Sequence, residues 1–259
     1  MKNLQESVLQ VANLLKDTQY LCVLTGAGIS VESGIPDFRS PGGLWSRFDP
    51  YEYATLSSFY AHPEKYWTMA KELRSTLKAA KPNLAHIAVT ELEKYVKTTV
   101  VTQNIDFLHQ AAGSQNVIEM HGTYRTSTCI ECGVKYDWRE VESLLDKELP
   151  PLCTKCSTGV LKSDTILFGE GIPVDALNAA FLAAQECDAM LVIGSSLEIQ
   201  PAALLPIIAK QHHSKIIINN LQPTFADSFA DVVLHEKAGA ILPLIVKELK
   251  RIRLEIKRL

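Results

Sequence analysis

The chain has 259 residues, 47% hydrophobic and 21% charged, a balance that excludes wholesale disorder and low complexity. Its 26 Lys and Arg against 29 Asp and Glu leave a net charge of −3, which speaks against a protein that works by wrapping nucleic acid. Mean hydropathy is near zero (+0.04), and no apolar run approaches the roughly 18 residues of a membrane span. The N-terminal Met-Lys-Asn-Leu-Gln-Glu-Ser lacks the pattern of a signal peptide, so a cytoplasmic location is expected. No direct nucleic-acid or membrane partner is expected, and a monomer is the default.

Strands and helices alternate along the chain. Leu4 to Lys16 carries apolar residues at helical spacing. Tyr20 to Thr25 is a short β-rich run ending at Gly26, as a buried strand would. A helix is predicted over Asn83 to Lys97. Further strands are predicted at Thr98–Thr102, Val117–Met120, Thr165–Phe168, Ala189–Ile193, Lys215–Ile218 and Val232–Leu234. Helices fall between several of them, at Asp175–Glu186 and Pro201–His212. Strands separated by helices imply parallel pairing. The expected fold is therefore α/β, a doubly wound, Rossmann-like parallel sheet.

Two stretches break the rhythm. Ser30 to Ala80 holds a Pro/Gly-rich opening and a helix near Pro63 to Ala80. Gly122 to Leu161 holds two cysteine pairs. The expected organisation is a discontinuous sheet domain made of residues 1–30, 81–121 and 162–259. A smaller inserted domain would combine a cofactor loop and helical module (31–80) with a zinc-ribbon module (122–161). The C-terminal helix places Ile241, Ile245, Leu249, Ile252 and Ile256 on one face and is expected to pack on the core, its basic end favoured by the helix dipole.

Four of the six cysteines form two matched pairs, Cys129-x2-Cys132 and Cys153-x2-Cys156. Each spacing suits a tight knuckle that aims two sulfurs at one metal, with Gly133 and Gly159 following. Four thiolates close a tetrahedral shell, so the ion would be one structural Zn2+; iron–sulfur ligation fits the spacing less well. Five Lys/Arg against six Asp/Glu between Gly122 and Leu161 argue against a nucleic-acid-binding ribbon. Cys22 and Cys187 sit in apolar surroundings and read as core residues.

The first strand runs into Thr25-Gly26-Ala27-Gly28-Ile29-Ser30. A Gly-x-Gly at this place lets backbone amides approach a diphosphate. The third glycine of the dinucleotide fingerprint is replaced by Val31, and no acidic residue ends a second strand at the usual spacing, which argues against an ordinary dehydrogenase. Four more polar loops stand at predicted strand ends: Gln103-Asn104-Ile105-Asp106, His121-Gly122, Gly169-Glu170 and Gly194-Ser195-Ser196-Leu197. In an open parallel sheet the ligand crevice lies at those ends, so the loops can converge.

The Gly26-to-Arg39 stretch, the Gln103–Asp106 loop, His121-Gly122 and the cysteine quartet occur in the order found in sirtuins, and the chain resembles that family from Tyr20 to about Leu244. The resemblance implies an NAD-dependent protein lysine deacylase that yields nicotinamide, deacylated lysine and O-acetyl-ADP-ribose. It implies that Gly26, Ala27 and Gly28 cradle the diphosphate of NAD, that Asp37, Phe38 and Arg39 form a loop over the cofactor, and that Asn104, Ile105 and Asp106 line the nicotinamide pocket. Gln103 would contact the nicotinamide ribose. Gly194, Ser195, Ser196 and Asn220 would hold the adenosine half, with Ala238 near the adenine.

His121 is the implied base: the acyl oxygen attacks the ribose carbon as nicotinamide leaves, and a ribose hydroxyl must then lose a proton. An imidazole with an ordinary pKa of about 6.5 suits that step. An acylated-lysine protein or peptide would pair its main chain with two loops, Gly169-Glu170-Gly171 and Leu197-Glu198-Ile199, while Ile166 and Phe168 wall the acyl-lysine tunnel. Relatives that prefer succinyl or malonyl groups carry a Tyr-x-x-Arg pair; counted from Trp67, those positions hold Ala70 and Leu73, with Arg74 one place on. Acetyl or longer apolar acyl groups are therefore expected. Mono-ADP-ribosyl transfer to protein is the alternative activity, and a nucleotide-sensing module with a zinc ribbon is the non-enzymatic one.

Overall fold

The computed structural model describes residues 4–38 and 42–256. Six parallel strands form the main sheet: β1 (Tyr20–Thr25), β2 (Lys97–Thr102), β3 (Val117–Glu119), β7 (Ala189–Ile193), β8 (Lys215–Asn219) and β9 (Val232–Leu234). Their order is β3-β2-β1-β7-β8-β9. The run Leu21-Cys22-Val23-Leu24 is apolar without alternation because both faces of β1 are covered. Leu21 and Val23 face α1 (Leu4–Asp17), α5 (Leu84–Leu92) and α10 (Ala238–Ile256). Cys22 and Leu24 face α8 (Val174–Glu186) and α9 (Leu205–Gln211).

A three-stranded antiparallel sheet lies outside this frame, ordered β5-β4-β6, from β4 (Gly122–Cys129), β5 (Lys135–Asp137) and β6 (Leu161–Thr165). The strand expected at Thr165–Phe168 in the parallel sheet is not there. Residues 161–165 pair with β4 instead, and Phe168 makes only an isolated bridge to Thr55. The reason is visible in β6: Leu161, Ser163 and Thr165 are buried while Lys162 and Asp164 are less so, a period of two that suits a sheet covered on one face.

The helices α2 (Pro50–Tyr53), α3 (Leu56–Ala61) and α4 (Pro63–Ala79) share one core with this small sheet and α7 (Trp138–Leu145). Trp67, fully buried on α4, donates its indole N–H to Leu161 O at 2.8 Å and fixes helix against strand. We propose from this packing that the smaller domain is the pair of segments 31–80 and 122–165.

Two helices are shorter than the pattern predicted. The helix expected over Asn83–Lys97 is α5, which Asn83 caps by accepting from the Ala85 and His86 amides, and which ends at Leu92. The Pro201–His212 helix is divided into a 3-10 turn at Ala202–Leu204 and α9. In α10, Ile241, Ile245, Leu249 and Ile252 are buried as expected, but Ile256 is exposed at the helix end. Among the described residues no helix is long and apolar enough to cross a membrane.

Candidate active site

Parallel strands bring their carboxyl ends to one edge, and the strand order reverses between β1 and β7. There the turns after the two strands press together. A Cβ on Gly28 would stand 2.7 Å from the Gly194 Cα, and one on Gly26 would stand 2.7 Å from the Gly194 carbonyl oxygen. Gly194 itself takes φ +59°. Backbone crossing backbone is what demands these glycines. The Gly28 N–H donates to Gly194 O at 2.9 Å, so this amide is engaged inside the turn pair. The Ala27 amide takes no partner among the described residues.

A cavity of about 1290 Å³ opens from this crossing and runs between the parallel sheet and the smaller domain. Gly26, Ala27, Gly28, Asp37 and Phe38 line it from the first turn; Arg39 lies outside the described residues. Gln103, Asn104, Ile105 and His121 line its middle, and Gly194, Ser195, Ser196, Asn220 and Ala238 its far end. Ile166, Phe168, Gly169, Glu170 and Glu198 reach it from the two outer loops. Two predicted residues stand apart. Leu197 is buried in the core at φ +56°, so only its backbone is available to a ligand. Asp106 lines an adjoining recess of about 30 Å³ together with Ser30 and Ile105.

His121 follows β3. Its Nδ1 lies 3.0 Å from Gln103 O; a carbonyl only accepts, so Nδ1 carries the hydrogen and Nε2 keeps a lone pair. Burial lowers the His121 pKa from its ordinary 6.5, against the opposing effect of the Gln103 bond, so the ring is neutral at neutral pH. Gln103 is itself held: its amide donates to Thr25 O at 2.9 Å, and its Oε1 accepts from Ser195 Oγ at 2.8 Å, tying β2 to the β7 turn.

Beside it, Asn104 Nδ2 donates to Gly26 O and to Ser30 Oγ, both at 3.1 Å. Ser30 Oγ donates in turn to Asp106 Oδ2 at 2.6 Å, and Asp106 Oδ1 accepts the Leu108 amide at 2.9 Å. All three side chains are buried, and burial raises the Asp106 pKa against these hydrogen bonds. Two histidines lie under the chain. His86 and His109 stack edge to face at 5.0 Å, and His109 Nε2 meets Thr25 Oγ1 at 3.0 Å. Burial takes His86 to about 4, and burial with the neighbouring His86 takes His109 to about 3.

Asn219 is not among the residues the sequence points to. That residue ends β8, donates to Leu234 O and Glu236 O at 3.2 and 2.8 Å, and lines the cavity beside Asn220. Its place at a strand end was the available signal. Tyr66, Met69 and Arg74 of α4 also reach the cavity; helical spacing alone gives no sign of which face a distant domain meets.

The cysteine quartet gathers as predicted. The four sulfurs lie within 4.8 Å of one another, with Cys129–Cys156 at 3.7 Å and Cys132–Cys153 at 3.6 Å. A tetrahedron of about 2.3 Å Zn–S bonds has sulfur edges of about 3.8 Å, so the donor set fits one zinc ion. Gly159 has no room for a Cβ beside Cys129 Sγ. Cys22 and Cys187 are buried and stand apart from the quartet.

A nucleotide-sized crevice at a sheet's reversal point, lined by a half-buried neutral histidine, beside a small sheet that carries a four-sulfur knuckle, is the arrangement of a nucleotide-dependent enzyme. The model of the Sir2 family matches residues 26–201, and the chain belongs to that family. It is 44% identical over 253 residues to NAD-dependent protein deacylase 2 of Archaeoglobus fulgidus, covering 97% of this chain and 100% of that one. It is 45% identical over 245 residues to an NAD-dependent protein deacetylase of Caldivirga maquilingensis, covering 94% of each. Among solved structures, one described under the structural basis for the mechanism and regulation of Sir2 enzymes superposes with a TM-score of 0.90 at 44% identity, over 96% of this chain and 99% of that one. A Sir2 enzyme with a deacetylated p53 peptide and 3'-O-acetyl ADP-ribose gives 0.88 at 37% identity, over 92% and 97%.

Proposed function

We infer that this chain is an NAD-dependent protein lysine deacylase with one structural Zn2+, and that His121 is its general base. The observation that carries the assignment of the base is the tautomer. Nδ1–H is fixed on Gln103 O, which leaves Nε2 free in the cavity to accept a proton from a ribose hydroxyl. NAD supplies the ribose carbon that accepts the acyl oxygen and the nicotinamide that leaves. The chain's own residues position these groups. The Ala27 amide and the Gly26–Gly28 turn receive the diphosphate, Phe38 covers the reacting ribose, and Asn104, Ile105 and Asp106 receive nicotinamide. Ser195, Ser196, Asn219, Asn220 and Ala238 hold the adenosine half.

The acylated peptide enters between the loops at Gly169 and Glu198. Among the described residues the Gly169 amide and carbonyl have no hydrogen-bond partner, which leaves them open to a peptide main chain. One neighbour is a Sir2 enzyme bound to a myristoylated histone peptide, with a TM-score of 0.82 at 39% identity over 97% of this chain. The cavity lining offers Ile166 and Phe168 for the acyl-lysine tunnel, with Phe38, Met69, Ala70 and Leu73 also apolar, which suits an apolar acyl group. His121→Ala tests the assignment. Deacylation falls by about 10²–10⁴-fold, the usual worth of a general base, while zinc content stays at one per chain. Retained turnover removes His121 from the role.

A further inference from the structure

The segment between β6 and α8 carries the main-chain groups proposed to meet the peptide, yet it has no regular structure of its own. It is tied back to β6 by a half-buried ion pair. The Lys162 side chain is only 12% exposed, and its ammonium donates to Ser163 O and Thr165 O at 3.0 Å and lies 2.9 Å from Glu170 Oε2. An ammonium has three donors, so all are used. The same Glu170 Oε2 accepts the Leu167 amide at 2.9 Å. One carboxylate oxygen therefore closes the turn and anchors it to the last strand of the small sheet.

Beyond this pair, the turn is held by Ile166 N–H to His121 O at 2.8 Å, and by Phe168, which exchanges two 2.9 Å bonds with Ala54 O and the Leu56 amide. The clamp is the only charged tie among the described residues of 166–170. A lysine this far withdrawn from water gains from such a partner, and a carboxylate oxygen so engaged is less available to a peptide side chain. Glu170 is expected to meet the peptide through its main chain; its carboxylate oxygen Oε2 is committed to Lys162 and to the Leu167 amide.

We propose that Lys162 and Glu170 are a positioning pair that fixes the 166–170 turn in its peptide-receiving shape, and that Glu170 acts through this turn rather than by reading peptide charge. The proposal rests on the deacylase reading above. The cofactor half is held by separate bonds at Gln103, Ser195 and Gly194, so the two halves respond separately.

The test is steady-state kinetics of the full, zinc-loaded chain with an acetyl-lysine peptide and NAD. Lys162→Met raises the peptide KM by about tenfold or more, with NAD KM and kcat within about twofold, as expected when a docking surface is misplaced and the chemistry is not. Lys162→Arg, which keeps the charge, restores the peptide KM. Glu170→Gln, of nearly the same shape, raises it in the same direction and serves if Lys162→Met does not fold. An unmoved peptide KM in the folded variants overturns the proposal, as does a matched loss in NAD KM and kcat. Absence of wild-type turnover overturns the deacylase reading itself, and the docking role with it; wild-type turnover with an unmoved KM overturns the clamp alone.

Discussion

The role proposed for His121 turns on a single backbone contact. Because Gln103 O fixes the Nδ1–H tautomer, the lone pair on Nε2 is set by a residue on the neighbouring strand end. Burial lowers the folded-state pKa of His121, so the base form persists below pH 6.5. Activity is lost on the acid side, as pH falls through that lowered value. A kcat/KM profile with its acid limb below 6.5 is expected; a limb above 6.5 contradicts the burial argument. Gly194 is the matching backbone residue. Gly194→Ala places a side chain at φ +59°, which alone costs about 1–3 kcal/mol, and drives its Cβ to 2.6 Å from the Gly28 carbonyl carbon. Reduced thermal stability and lost NAD binding by calorimetry are expected together.

At the scale of elements, the small sheet depends on its metal. Cys129→Ser leaves three of the four sulfurs. Zinc content falls, and hydrogen exchange quickens in β4–β6 while the parallel sheet stays protected, because metal binding and local folding are coupled. Unchanged zinc content contradicts the assignment. The helix α5 and the short α6 (Leu108–Ala112) bring His86 and His109 under the site as neutral rings, with pKa values near 4 and 3. The unfolded chain binds their protons near 6.5, so they contribute stability above 6.5 that is lost as pH falls toward 4. A His86→Asn/His109→Asn variant therefore loses less stability than the parent between those values in denaturant melts.

The parallel strands were legible because Leu21–Leu24 and Ala189–Ile193 are buried on both faces and read as unbroken apolar runs. The loops after them were legible as strand ends. Thr165-Ile166-Leu167-Phe168 misled because it has strand composition without a strand neighbour, whereas the true β6 hides Lys162 and Asp164 in an apolar-poor run. The convergence of α4 on the cavity comes from packing between domains, which leaves no local pattern.

The molecule as a whole sets a parallel sheet, with a core on each face, against a smaller sheet and helices with a core of their own, and the cavity between them is shaped on one side by glycine crossings and polar strand ends, on the other by apolar side chains. That asymmetry predicts acyl preference. Arg74 reaches the cavity but rests 5.3 Å over the Trp67 ring, and Ala70 and Leu73 offer no hydrogen bond to a carboxylate. A succinyl group would be desolvated without a matched partner, so its kcat/KM falls at least about tenfold below that of acetyl. Equal rates contradict the apolar-tunnel account.

Nicotinamide release from NAD with an acetyl-lysine peptide, beside a no-peptide control and an unacylated protein acceptor, separates deacylation from its alternatives. A deacylase releases it only with the acyl peptide, one nicotinamide for each lysine freed. Release only with the unacylated acceptor would mean ADP-ribosyl transfer, and no release with any would contradict an enzyme at this site.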